Sequence, residues 1–168
     1  SMLETLRIDG TEYEAFTTSG GLGTMTETYK GKVKNLDYKS IRYPGHCKMM
    51  KFLLDDLKMK DKRWELMKSM QNDLPPCEKD KVFVYASVTG EKNGKVQTVE
   101  FVKEYEPKII NGTPYKAIAW TTAAAIVSAV QMVDKGHLPQ RGFVKQEDIP
   151  FDKLKWTDFG KLYTEEEK

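Results

Sequence analysis

At 168 residues, 39% hydrophobic and 31% charged, the chain has the size and balance of one globular domain with a real core, which excludes disordered, fibrous and disulfide-scaffold classes. Its 27 basic and 25 acidic residues give a formal net charge of +2 without a clustered basic patch, so neither nucleic acid nor an acidic membrane surface is expected as a partner. Cys47 and Cys77 lack a CxxC or a companion histidine spacing, so no metal site is expected and the thiols read as free, in a reducing compartment. No apolar run is long enough to span a bilayer and no signal peptide is evident, which makes the cytoplasm the expected location. Ser1-Met2 reads as a cloning remnant, and the chain is then expected to be an excised part of a longer protein.

Residues 3–16 read as two extended runs joined at Asp9-Gly10, a hairpin signal flanked by Leu6, Ile8, Tyr13 and Ala15 or Phe16. Ser19, Gly20, Gly21, Leu22, Gly23 and Thr24 follow, a glycine-rich stretch whose backbone can approach a ligand closely and offer it N–H donors. It matches neither GxGxxG nor GxxxxGK[ST], and a flexible turn with capping threonines accounts for it equally well.

Residues 35–41 alternate weakly, as a strand in a mixed environment does, and run into Arg42-Tyr43-Pro44-Gly45-His46. Tyr43, preceding proline, is pushed away from helical angles, whereas Pro44 suits the first turn of a helix, so the stretch predicts a strand-to-helix elbow. His46 falls on the stripe of Met50, Leu53, Leu54 and Leu57 and is aimed inward. Arg42 beside the unpaired N–H groups of a helix start favours an anion such as a carboxylate. The alternative is an arginine paired with a core carboxylate and a histidine satisfied in the core. Lys39, on the strand, reads as solvated rather than as a second cation.

A charged turn at 60–63 separates this helix from a second, carrying Trp64, Met67, Met70 and Leu74 and stopped by Pro75-Pro76; its methionines are expected to fill core. The near-continuous apolar run 82–88, the Asn93-Gly94 turn and the run 96–105 predict an antiparallel hairpin whose first arm lies mid-sheet with cover on both faces. Val99, Phe101 and Tyr105 on the wetter second arm fit either a subunit interface or a covering helix. After a turn at 109–114, residues 122–133 are apolar almost all round and predict a buried helix stopped by Gly136. Thr121 or Thr122 is expected to cap it, at an end that favours an anion if open, and Trp120 is either a pocket wall or core. A short extended piece at 143–144 and a mixed segment at 149–156 precede an acidic tail expected to fray. The elements predict an α+β fold over 1–168 as a single domain: a mixed, largely antiparallel sheet covered by helices on one face, with the other face available for dimerisation.

In order and spacing, SGGLGT at 19–24, KSIRYPGH at 39–46, AWTTAAAI at 119–126, Gly136 and RGFVKQEDI at 141–149 resemble the second domain of the saccharopine dehydrogenase-like oxidoreductases. Gly20-Gly21-Leu22-Gly23 stands where fungal-type members have Gly-Gly-Leu-Pro, and Ile41-Arg42-Tyr43 where they have Leu-Arg-Tyr. The Pro-Gly-His continuation is closer to the bacterial and archaeal branch that includes lysine 6-dehydrogenase-like proteins. The resemblance implies a domain that binds the substrate of an NAD(P)-dependent oxidoreductase acting on the C–N bond of an amino acid, and that forms a homodimer. NAD or NADP is then held by a Rossmann domain elsewhere in the full-length protein, since no strand followed by GxGxxG occurs in this chain, which alone should bind no coenzyme and be inactive.

Carried over to these positions, Arg42, Tyr43, the 19–24 loop, Trp120, Thr121 and Thr122 are the expected substrate contacts. His46 is expected either to pass a proton to or from the amine or to hold Arg42 or Tyr43 in place. The alternative to an enzyme domain is a non-catalytic dimerisation or interaction module.

Overall fold

The structure is a computed structural model that describes residues 2–18, 20–74 and 76–164. The chain forms two compact units, Ser1–Pro76 and Cys77–Lys168. The α+β class holds, but every strand pairing is antiparallel, and the strands make three small separate sheets rather than one mixed sheet.

In the first unit, β1 (Glu4–Ile8) and β2 (Thr11–Phe16) form the expected hairpin, closed by Asp9 and Gly10, both with positive φ as a type I′ turn demands. Leu6 faces Tyr13, and Ile8, Tyr13, Ala15 and Phe16 are the buried apolar residues of this hairpin. The strand expected at 35–41 shrinks to β3 (Ser40–Arg42), which pairs Ser40 with Phe16 and Arg42 with Glu14. Residues 33–39 stay irregular, with Val33, Leu36 and Tyr38 exposed rather than alternating into a core.

Past a four-residue helix α1 (Met25–Thr28), the helix after the elbow is α2 (His46–Lys51), continued by a π-helical turn, Phe52–Asp56, that closes with Leu57 N–H donating to the Phe52 carbonyl at 3.0 Å. The third helix, α3 (Arg63–Asp73), buries only Leu66. Its methionines are not core filler: Met67 and Met70 line an open groove of about 320 Å³ with Leu66, Leu74, Gln71 and Arg63, and Trp64 is 71% exposed.

The second unit begins with a long two-stranded ribbon, β4 (Val82–Lys92) and β5 (Lys95–Tyr105), turned by Asn93 and Gly94. The first arm is not mid-sheet. It pairs with β5 alone, and every residue from Val84 to Lys92 is exposed. A second tight hairpin, β6 (Lys108–Ile110) and β7 (Thr113–Tyr115), turns at Asn111-Gly112 and leads into α4 (Ala117–Asp134).

Helix α4 buries the stripe Ala117, Trp120, Ala124, Ser128 and Met132, a spacing of three and four that places them on one face. The expectation of burial all round is corrected on the opposite face, where Ile118, Ile126 and Val130 are about 60% exposed. The helix also begins five residues earlier than residue 122, which gives it 18 residues and a mean hydropathy of 1.3, long and apolar enough by composition to cross a membrane, unlike the shorter run read from the sequence. Gly136 ends it as expected: with φ +71° it lets its own N–H reach the Val133 carbonyl and the His137 N–H reach that of Met132.

Residues 143–144 carry no strand, and Phe143 is 81% exposed. The short α5 (Phe151–Lys155) and the segment after it return to α4, where Gln131 bonds both the side chain and the backbone N–H of Asp158. The acidic tail lies outside the described residues.

Candidate functional site at the strand-to-helix elbow

The elbow forms because Arg42 ends a strand that has only a three-residue ladder, and Pro44-Gly45 then turns the chain with Gly45 at φ +92°, a value that penalises any residue with a Cβ. Pro44 therefore lies in the turn rather than in the helix, which starts at His46. The His46 N–H reaches the Tyr43 carbonyl at 3.3 Å, and the Met49 N–H reaches that of Gly45 at 3.0 Å.

The amides at this helix start are not open to a ligand, contrary to the expectation from sequence. Glu14, only 8% exposed on β2, accepts the Gly45 N–H at 2.9 Å through one carboxylate oxygen and the Cys47 N–H through the other. A buried carboxylate on a helix N-terminus satisfies both the donors and the dipole. Glu14 is thus the residue that sequence reasoning missed. Alternating with Glu12 along a hairpin, it reads as one more residue of the wet face, and nothing local signals that its partners lie 31 and 33 positions on.

Arg42 is exposed. Its guanidinium donates to the carbonyl of its own neighbour Ile41 at 2.7 Å, and it makes no ion pair among the described residues. Lys39, by contrast, is held 2.8 Å from Glu4 with Asp37 nearby, and the hydrogen bond to Glu4 is the main reason its pKa is raised. Unit 1 therefore offers an anion one unpaired cation at the elbow, Arg42, with Lys39 already committed.

His46 is half-buried and its ring stacks on Phe16, centroids 6.1 Å apart at 25°, while Tyr43 tilts against Tyr13 at 5.6 Å. Both aromatic contacts fix side chains that follow Arg42 to β2. The glycine loop is tied instead to β3 and the residues just before it. The Thr18 and Ser40 hydroxyls share a 2.6 Å hydrogen bond, and Gly20 lies so close to Tyr38 that a Cβ there would sit 2.5 Å from the ring. Ser19 lies outside the described residues. Gly20, Gly21 and Gly23 are exposed, Leu22 and Thr24 half-buried, and Thr24 starts α1 through its backbone without a side-chain cap. A four-residue helix after this loop gives little of the aligned backbone that cradles a pyrophosphate, so the loop does not fit a dinucleotide site.

The remaining expected contacts belong to the second unit. Trp120 is 3% exposed, its indole N–H donating to the Glu106 carbonyl at 2.8 Å, its ring edge-on to Tyr105 and tilted to Tyr163, with the Lys108 ammonium 5.5 Å from its centre. That is the environment of a core residue. Thr121 and Thr122 lie inside α4 rather than at its start: Thr121 bonds back to the Ala117 carbonyl at 2.7 Å, and Thr122 is exposed. The cap is Asp80, whose carboxylate takes the Ala117 and Ile118 N–H groups at 2.7 and 2.9 Å. Both helix starts expected to receive an anion are thus occupied by an internal carboxylate.

Residues 2–160 match the family model of the saccharopine dehydrogenase C-terminal domain. No solved structure matches the chain.

Proposed function

The chain belongs to the saccharopine dehydrogenase C-terminal domain family, and on that premise we propose that it is the substrate-holding, dimer-forming domain of a cytoplasmic NAD(P)-dependent oxidoreductase that acts on the C–N bond of an amino-acid substrate. The observation that carries the reading is the exposed guanidinium of Arg42. It stands at the elbow without an acidic partner among the described residues, at the end of the strand whose Ser40 holds Thr18 and just before Tyr43 and His46, both of which pack on β2.

In this proposal Arg42 takes the substrate carboxylate in a charge-assisted, two-pronged contact and so orients the carbon that exchanges a hydride. Glu14 performs the preparatory work. By occupying the helix amides it leaves the carboxylate of the substrate to Arg42 alone and fixes the backbone from which Arg42 and His46 project. His46 exchanges a proton with the substrate amine. The nicotinamide coenzyme is held by a nucleotide domain elsewhere in the full-length protein.

Two measurements test this reading. A titration of the chain with dicarboxylic amino acids, followed by amide chemical shifts, should perturb the resonances of 40–47, and Arg42→Ala should abolish the change. In the full-length enzyme the same substitution should lower kcat/KM by about tenfold or more, since a charge-assisted contact contributes about 1.5–3 kcal/mol. Unaltered shifts and unaltered kinetics would reject Arg42 as the carboxylate anchor.

A further inference from the structure

The register of the first sheet places more beside Arg42 than its neighbours in sequence. Ser40 and Arg42 are two apart on β3 and so project from the same face, which they share with the residues opposite them on β2, Phe16 and Glu14. That face receives the start of α2, since Glu14 accepts the Gly45 and Cys47 N–H groups and Phe16 carries the ring of His46. Thr18 returns to it just past the end of β2, where its hydroxyl meets that of Ser40 at 2.6 Å. Arg42, Ser40, Thr18 and His46 therefore gather on one face although they come from three segments of the chain.

We propose that Ser40, oriented by Thr18, is a further substrate-binding residue whose hydroxyl donates to the carboxylate that Arg42 holds. The inference rests on the reading of Arg42 as the carboxylate anchor and extends it by a second, neutral donor. A two-pronged guanidinium contact fills one lone pair on each carboxylate oxygen, and Ser40 takes one of the two that remain.

Three observations lead to it. Two hydroxyls that bond one another use only one of their two protons, so with Thr18 as the donor the Ser40 O–H has no acceptor among the described residues. Its oxygen already accepts a bond, which makes that O–H the stronger donor. Next, one N–H of Arg42 donates to the Ile41 carbonyl at 2.7 Å, which keeps the guanidinium beside β3 and leaves four N–H groups for a ligand. Residues two apart along a strand are about 6.6 Å from one another, a gap that a carboxylate spans between a guanidinium and a hydroxyl. Finally, the hydroxyl pair is held in place before any ligand arrives. Phe16, opposite Ser40, is buried, and Tyr38 lies so close to Gly20 that loop and strand stay together, which removes the cost of ordering them on binding. With Lys39 committed to Glu4, the face offers one cation and one neutral donor, a match for the single charge of a carboxylate and too little for a phosphate dianion.

The test is a titration of the chain with glutarate, followed by the amide chemical shifts of residues 40–47, which also report the fold of each variant. Ser40→Ala should raise the glutarate dissociation constant about tenfold, the loss that goes with a hydrogen bond to a charged group. Ser40→Thr restores a hydroxyl at a strand position that suits β-branching and should return the constant to within about threefold of the original. Thr18→Val keeps the shape without the donor and should raise it only about threefold; added to Ser40→Ala it should change nothing more, because Thr18 acts through Ser40. Inorganic phosphate at matched ionic strength should bind more weakly than glutarate. Equal losses from Ser40→Ala and Thr18→Val, or no recovery in Ser40→Thr, mark the hydroxyl bond as a tie between loop and strand and overturn the inference. Phosphate binding as tight as that of glutarate overturns it too. A Ser40→Ala chain that binds glutarate like the wild type, where Arg42→Ala does not bind, overturns the role of Ser40 and leaves Arg42 as the anchor. Amides that glutarate leaves unmoved in the wild type, or binding that survives Arg42→Ala, end both readings.

Discussion

Glu14 sits directly across from Arg42 in the β2–β3 ladder, yet its carboxylate turns to the amides of Gly45 and Cys47 and not to the guanidinium. Two neighbouring opposite charges thus serve different tasks, one internal and one facing outward. Replacing Glu14 by alanine leaves two amides without their acceptor in a site only 8% exposed, and should cost unit 1 about 2–3 kcal/mol in chemical denaturation. Glu14→Gln, which keeps one carbonyl oxygen, should lose about half as much.

Ser128 lies fully buried on the inner face of α4, and its hydroxyl has no partner among the described residues. Ser128→Ala should raise the stability of the second unit by about 0.5–1 kcal/mol, because the desolvation cost of the hydroxyl disappears and alanine is the better helix former. A drop in the thermal midpoint would show that the hydroxyl is satisfied.

Gly160 is buried where a Cβ would stand 1.9 Å from the Leu154 carbonyl oxygen, a backbone atom held by the turn that follows α5. Gly160→Ala should destabilise the unit by about 3 kcal/mol through overpacking. At exposed Gly21, where nothing lies within reach of a Cβ, alanine should be close to neutral.

Burial raises the pKa of Tyr105 and of Tyr163, the latter helped by the neighbouring Tyr105. A folded tyrosine with a raised pKa stays neutral while the unfolded chain ionises near the ordinary value of 10.0, so its contribution is complete below that pH and is lost as pH rises through the folded value. The thermal midpoint of the second unit should therefore fall as the pH rises above about 10. Tyr163→Phe, which removes the hydrogen bond to the Thr121 carbonyl, should lower the midpoint at neutral pH and flatten the alkaline fall.

The parts of the fold legible in the sequence are those decided by neighbours. Asp9-Gly10 and Asn93-Gly94 announce their hairpins because positive φ at two adjacent positions is a local requirement, and Pro44-Gly45 announces the elbow because proline fixes its own φ and Gly45 takes the positive one. Both helix starts were misjudged because their caps come from far along the chain, Glu14 for α2 and Asp80 for α4. The periodicity of α4 was no guide to its burial, since a helix apolar on every side does not reveal which stripe it will cover. In the candidate site, Arg42, Tyr43 and His46 were identifiable as a cluster by proximity alone. That Lys39 would be spent on Glu4, leaving Arg42 as the unpaired cation, required the register of β1 and β2.

The hairpins differ from β3 in what they ask of a folding chain. Each hairpin ladder joins strands separated by a two-residue turn, so it can form within microseconds of local search. β3 must instead close a loop from Phe16 to Ser40 before its three residues can dock, an entropic toll that its short ladder scarcely offsets. The elbow, which depends on that docking, should consequently be the last piece of its unit to order during refolding and the first to open on warming.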